Sequence, residues 1–280
     1  MNTGTIRFPN GTVVPPIGQG SWHLGQGRRP AESEAEAMRV GIDLGLTLID
    51  TAEMYGEGRS ERHIGRAVAG RRSEVFLVSK VLPFNANRRG IPKACDASLA
   101  RLGTDHLDLY LLHWQDGRAD LAEVVAAFED LRRVGKIRAW GVSNFDVDDM
   151  EDLFAIPGGD NCATNQVLYN LGSRGIEFAL LPWCAARGIP VMAYTPLGGS
   201  RLLRDSTLAR IAGLHGVSPS AVALAWVARG GRVIAIPEAG NPAHIAENAA
   251  ALTLQLTPDD LRAIDAAFPP PHRKAPLDIL

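Results

Sequence analysis

Seven apolar runs rich in Val, Ile and Leu recur along the chain (LTLID, VFLVSK, LDLYLLHW, RAWGVSNF, ATNQVLYN, PVMAYTP and RVIAIP), and stretches of helical period separate them. Strands that are apolar at nearly every position need cover on both faces. Helices between consecutive strands supply it when the strands run parallel. With the earlier segment IGQGSW the strands number eight, and eight such units favour closure of the sheet into a barrel. The connecting segments carry helix punctuation. Glu32 through Gly45 ends on a glycine, Ile91-Pro92 opens a helix ending in RLG, Leu121 through Gly135 ends in VG, and Ser218 stands as N-cap before Pro219. Ahead of these units, IRFPNGTVVPPIG sets an Asn10-Gly11 turn between two short β-prone pieces. That hairpin is expected to plug one end of the core. The expected fold is α/β: a (β/α)8 TIM barrel with an N-terminal β-hairpin, one domain over residues 1–280.

An open doubly wound sheet with a dinucleotide fingerprint is the competing architecture, but Gly18, Gly20, Gly25 and Gly27 do not have the G-x-G-x-x-G spacing. A formal net charge of -2 gives no broad basic field, so nucleic acid is not expected as a partner. Local arginine pairs such as Arg28-Arg29 and Arg88-Arg89 read as solvated loop or helix ends. Cys95, Cys162 and Cys184 have no metal-type spacing and fit reduced thiols in a cytoplasmic protein. No apolar run reaches about 18 residues and no leader-like segment opens the chain, so neither export nor a membrane span is expected.

Four residues fall at or just past the ends of three successive strands: Asp50, Tyr55, Lys80 and His113. Parallel barrels build active sites from strand ends, and these four can serve as carboxylate, proton donor, cation and carbonyl orienter. Singly, each has a commonplace structural explanation, such as a lysine acting as a solvent anchor. Together, all at one mouth, they point to chemistry. A metal site is not expected, because Asp50, His63, His106 and His113 lack ligand spacing and Lys80 would be a cation in their midst.

DTAEMYGEGRSERHIGRA, LVSK, LDLYLLHW, GKIRAWGVSNF, NQVLYN, AYTPLG and the late IPxxxxPxxIxEN pattern resemble the aldo-keto reductase superfamily, in the right order and over nearly the whole chain. The resemblance implies an NAD(P)H-dependent reductase of small aldehydes and ketones, with Tyr55 as general acid, its pKa lowered by Lys80, Lys80 held by Asp50, and a neutral His113 orienting the carbonyl. It further implies that Ser143, Asn144, Gln166 and Tyr194 hold the nicotinamide half, and that Leu197, Gly198 and Ser200 line the pyrophosphate. Glu247 and Asn248 match the family as adenine contacts. Glu238 and His244 depart from it, standing where phosphate-preferring members carry Lys and Arg. A carboxylate there favours a free ribose diol and hence NADH, whereas the resemblance as a whole favours NADPH. Trp22, Phe84 and Trp114 are expected to wall an open pocket for a small carbonyl substrate, 2-oxoaldehydes among them. The protein is expected to be a monomer or homodimer. A nicotinamide-sensing regulatory protein is the alternative, and the intact tetrad argues against it.

Overall fold

A computed structural model describes residues 4–280. A two-stranded antiparallel hairpin, β1 (Ile6–Arg7) with β2 (Val13–Val14), opens the chain around the Asn10-Gly11 turn. Eight parallel strands follow in sequential order: β3 (Gln19–Gly20), β4 (Leu48–Asp50), β5 (Phe76–Val81), β6 (Leu109–Leu112), β7 (Trp140–Ser143), β8 (Asn165–Leu168), β9 (Val191–Tyr194) and β10 (Val233–Ala235). The seam between β10 and β3 is closed by backbone bonds. Gly18 N–H donates to Ala235 O at 2.8 Å, Ala235 N–H to Pro16 O at 2.9 Å, and Gly20 N–H to Pro237 O at 2.9 Å. Glycine is required at the seam, since a Cβ on Gly20 would stand 2.8 Å from Ile236 O. The fold is the expected (β/α)8 barrel with its hairpin.

Helices cover the outside: α1 (Ala31–Asp43), α2 (Arg59–Ala67), α3 (Gly90–Leu102), α4 (Leu121–Arg133), α5 (Val147–Phe154), α6 (Leu180–Ala186), α7 (Ser206–His215), α8 (Pro219–Ala228), α9 (Pro242–Ala249) and α10 (Pro258–Ala267). Their ends follow local chemistry. Asp120 accepts from Ala122 N–H at the start of α4, Ser218 from Ala221 N–H at the start of α8, and α3 stops at Gly103 in the left-handed conformation. Two helices, α7 and α8, fill the single crossover from β9 to β10, so the alternation is less regular than the sequence pattern suggests. Among the described residues no single helix is long and apolar enough to cross a membrane.

The period of two along each strand sorts the core into two shells. Outward residues such as Ile49, Leu77, Tyr110, Leu112 and Trp140 pack under the helices, with Trp140 stacked on Phe128 of α4. Inward residues, among them Leu48, Phe76, Val78, Leu109, Leu111 and Met192, fill the barrel together with Ile6, Phe8 and Val14 from the hairpin. Phe8 stacks on Phe76 with centroids 5.1 Å apart, so the hairpin plugs the barrel floor as expected. Burying each such side chain contributes roughly 1.5–3 kcal/mol. The same parity decides what stands above the apolar layers. Asp50 is two residues past Leu48, Lys80 two past Val78, and His113 two past Leu111, which brings three polar side chains inward at the open end.

Candidate active site

Lys80 is fully buried, and its ammonium is the hub of the site. Its Nζ donates to Asp50 Oδ2 at 2.6 Å, to Thr51 O at 2.9 Å and to the Tyr55 hydroxyl oxygen at 3.0 Å. The fixed ammonium uses all three of its protons on these acceptors. Burial works against its charge, yet the Asp50 carboxylate and the Tyr55 oxygen more than offset this and hold the Lys80 pKa above its ordinary value. The other Asp50 oxygen accepts from Gln166 Nε2 at 2.8 Å, so the carboxylate is bound on both sides.

Tyr55 arrives from the turn after β4, where Tyr55 N–H donates to Ala52 O and the chain then enters α2. Because Lys80 donates to its oxygen, the phenolic proton is left to point into the cavity. The sequence led us to expect a phenol made more acidic by Lys80. Lys80 does pull the pKa down, but burial raises it by more, with Asp50 adding to the rise, and the net direction is upward. In this structure Tyr55 is therefore firmly protonated at neutral pH, which is the state a proton donor needs.

His113 packs edge-on to Tyr55, with centroids 5.7 Å apart, and against Trp114 at 4.9 Å. Burial, with Lys80 adding to it, pushes its pKa down to about 2. The ring is neutral across the physiological range, as expected from the sequence. A stability consequence follows from the sign of this shift. The unfolded chain takes up a proton at this position below about pH 6.5, the native chain does not, and stability is lost as pH falls through that window. In urea titrations from pH 7 to pH 4, the parent is expected to lose up to about 1.4 kcal/mol per pH unit more than His113→Gln. Parallel curves for the two proteins would remove this assignment.

A cavity of about 610 Å³ opens above these groups. Asp50, Tyr55, His113, Trp22, Trp114, Ser143, Asn144, Gln166, Tyr194, Leu197, Gly198 and Glu238 line it, so most of the residues singled out from sequence meet here. Ser143 donates to Gln166 O at 2.8 Å, Asn144 Nδ2 to His113 O at 3.2 Å, and the Tyr194 hydroxyl to Asn144 Oδ1 at 2.9 Å. Asn144 and Thr195 both hold positive φ, 61° and 49°, although neither is glycine. Such strain persists where surrounding bonds impose it and is common at functional sites. A nicotinamide fits this chemistry. The Tyr194 ring faces the cavity, Gln166 Oε1 accepts no bond from the described residues, and Gly198 and Gly199 present backbone without side chains.

Several of the expected contacts do not line this cavity. Phe84 is 72% exposed and does not line the cavity, because Glu53 Oε1 accepts from both Leu82 N–H and Asn85 Nδ2 and fixes the turn with Phe84 outward. Ser200 is exposed beyond the rim, and Gly199 lines the cavity in its place. His244, Glu247 and Asn248 lie on α9 outside the cavity. His244 is exposed, Glu247 accepts from Ser220 Oγ at 3.3 Å, and Asn248 is buried. Glu238 does line the cavity, but His23 engages both its oxygens. The His23 N–H donates to Oε2 at 2.6 Å, and ring Nδ1 lies 3.1 Å from Oε1.

Residues that the sequence reading missed include His23, Met54, Gln115, Ile279 and Leu280, all on the cavity wall. His23 and Gln115 directly follow Trp22 and Trp114, and that adjacency was the available signal. Ile279 and Leu280 add apolar wall to the pocket. The segment after α10 returns across the barrel mouth, with Leu277 packed on the core and Lys274 paired with Asp148 at 3.2 Å, and it brings these two apolar side chains to the rim.

The sequence profile of the Aldo/keto reductase family matches residues 16–268. The chain belongs to this family. Over the full length of both proteins it is 49% identical to methylglyoxal reductase YeaE of Escherichia coli K12. It is 33% identical to the glyoxal reductase of Bacillus subtilis 168, with 94% of this chain and 92% of that one covered. An aldo/keto reductase of Klebsiella pneumoniae, solved in complex with NADP and acetate, superposes with a TM-score of 0.96 at 47% identity over 99% of each chain. A second structure of a Klebsiella pneumoniae aldo-keto reductase, in complex with NADPH, gives a TM-score of 0.95 at the same identity. For an aldo/keto reductase, the Asp50, Tyr55, Lys80 and His113 cluster lies where strand ends of the barrel present reactive groups.

Proposed function

We propose that this aldo/keto reductase reduces small aldehydes, 2-oxoaldehydes such as methylglyoxal foremost, with NAD(P)H and a preference for the phosphorylated cofactor. The observation that carries the reading is the Lys80 ammonium bonded at once to Asp50 and to the Tyr55 hydroxyl, at the floor of a cavity with apolar walls. The names of the relatives and the cofactors in the two Klebsiella structures support the choice of substrate and cofactor. Bound beside Tyr194, the reduced nicotinamide supplies the hydride. The protein's own groups do the rest. Tyr55 donates its proton to the carbonyl oxygen as negative charge develops there, and Lys80 stabilises the phenolate left behind. Asp50 keeps the ammonium charged and aimed. With its ring proton on the cavity-facing nitrogen, neutral His113 donates to the same carbonyl oxygen and orients it.

Ser143, Asn144 and Gln166 hold the carboxamide edge, and Leu197 with Gly198 borders the pyrophosphate. Trp22, Trp114, Met54 and Leu280 enclose a substrate only a few carbons long. An assembled donor and cation favour turnover over nicotinamide sensing. Residues 1–280 act as one domain in this reading, and the three free, buried cysteines suit the cytoplasm. Following absorbance at 340 nm with methylglyoxal and NADPH tests the proposal. Cofactor oxidation matched mole for mole by hydroxyketone is the expected result, and tight NADPH binding without aldehyde-dependent oxidation would refute it.

A further inference from the structure

Glu238 stands where a carboxylate would repel a cofactor phosphate, yet it is turned into the cavity wall and clasped by His23 through backbone and ring. Two residues later, Gly240 lies against the guanidinium of Arg29, and a Cβ placed on Gly240 would be 3.2 Å from Arg29 Nη1. Arg29 is exposed, and among the described residues it has no carboxylate within ion-pair distance and no hydrogen bond, unlike Arg39, Arg71, Arg72 and Arg101. Glu34 packs against the same glycine, with its Cγ 3.3 Å from that Cβ position. It is buried, and its Oε2 accepts from Gly25 N–H at 2.8 Å. An unpaired guanidinium therefore borders the loop that leaves the cavity rim at Glu238.

We propose that Arg29 binds the phosphate monoester that distinguishes the phosphorylated dinucleotide from the unphosphorylated one. The proposal rests on the cofactor reading above. A dinucleotide with its ring at Tyr194 and its pyrophosphate along Leu197 to Gly199 would carry its far half toward the neighbouring loop after β10, whose Glu238 lines the cavity. The Pro237 to Gly240 loop follows β10, the strand paired with the β9 that leads into those glycines, and Arg29 lies against it at Gly240. A guanidinium fork meets phosphate oxygens in a planar, two-pronged geometry that neither Glu238 nor His244 offers. The side chain needs little rearrangement, since no carboxylate must first release it. Discrimination by this chain would then come from the connection between β3 and α1 and not from the two positions after β10 where the resemblance looks for it.

The test measures Kd for NADPH and for NADH by quenching of protein fluorescence, at low and at physiological salt, in the parent and in Arg29→Gln. The variant is expected to bind NADPH about tenfold or more weakly, to bind NADH within about twofold of the parent, and to lose most of the salt dependence of NADPH binding. If Arg29→Gln leaves NADPH affinity within about twofold, or weakens both cofactors alike, Arg29 is not the phosphate ligand. That outcome leaves the reductase reading intact as long as the parent binds both cofactors. A parent that binds neither overturns both readings.

Discussion

Tyr55→Phe is expected to lower kcat for methylglyoxal reduction by about 10²–10⁴-fold, the range that a positioned general acid contributes. The Kd for NADPH should change by less than about twofold, because none of the groups proposed to hold the cofactor is altered. Phenylalanine keeps the ring that packs against His113 at 5.7 Å, so the cavity wall is preserved. What is lost is one proton on one oxygen. Lys80 then faces no phenol and has nothing to stabilise when the carbonyl oxygen gains charge. Kinetics at saturating cofactor, with NADPH binding measured on the same preparation, separate this loss from a loss of binding.

Lys80→Met is expected to cost activity on the same scale and to cost stability as well. Methionine matches much of the volume of lysine, so the loss is chiefly electrostatic. Removing the ammonium leaves the Asp50 carboxylate buried at 2% exposure with Gln166 as its remaining side-chain donor, whereas Lys80 had bonded it at 2.6 Å. Breaking a buried pair by deleting one partner destabilises by about 3–5 kcal/mol. Thermal or urea unfolding should therefore show a large drop for Lys80→Met and little for Tyr55→Phe. Equal stabilities for the two variants would mean that the Lys80 and Asp50 pair contributes far less than its burial implies.

Much of this was legible in the sequence because it is local. The hairpin follows from Asn10-Gly11, the helix ends from Ser218-Pro219 and from Gly103, and the strands from their apolar runs. Period-two alternation carried further. It aligns Asp50, Lys80 and His113 on the inner face above Leu48, Val78 and Leu111, so three members of the site could be read before any coordinate. Contacts between loops could not. The clasp between His23 and Glu238 joins residues 215 positions apart, and the approach of Ile279 and Leu280 depends on the path of a segment without periodicity. Phe84 misled because an aromatic after a strand reads as a pocket wall, while the bonds from Leu82 and Asn85 to Glu53 that turn it outward have no sequence signature. For Tyr55, the sign of the Lys80 effect was readable, but the depth of burial that outweighs it is a property of the folded barrel.

Tyr55 and Lys80 are argued to act as one unit, so the double variant Tyr55→Phe with Lys80→Met tests the account most directly. The measurement is the single-turnover rate constant for oxidation of bound NADPH by methylglyoxal, in the parent, both single variants and the double. The double is expected to be no more than about threefold slower than the slower single, since either change alone already disables the donor. If the two losses multiply, the residues contribute independently and the ammonium does not act through the phenol.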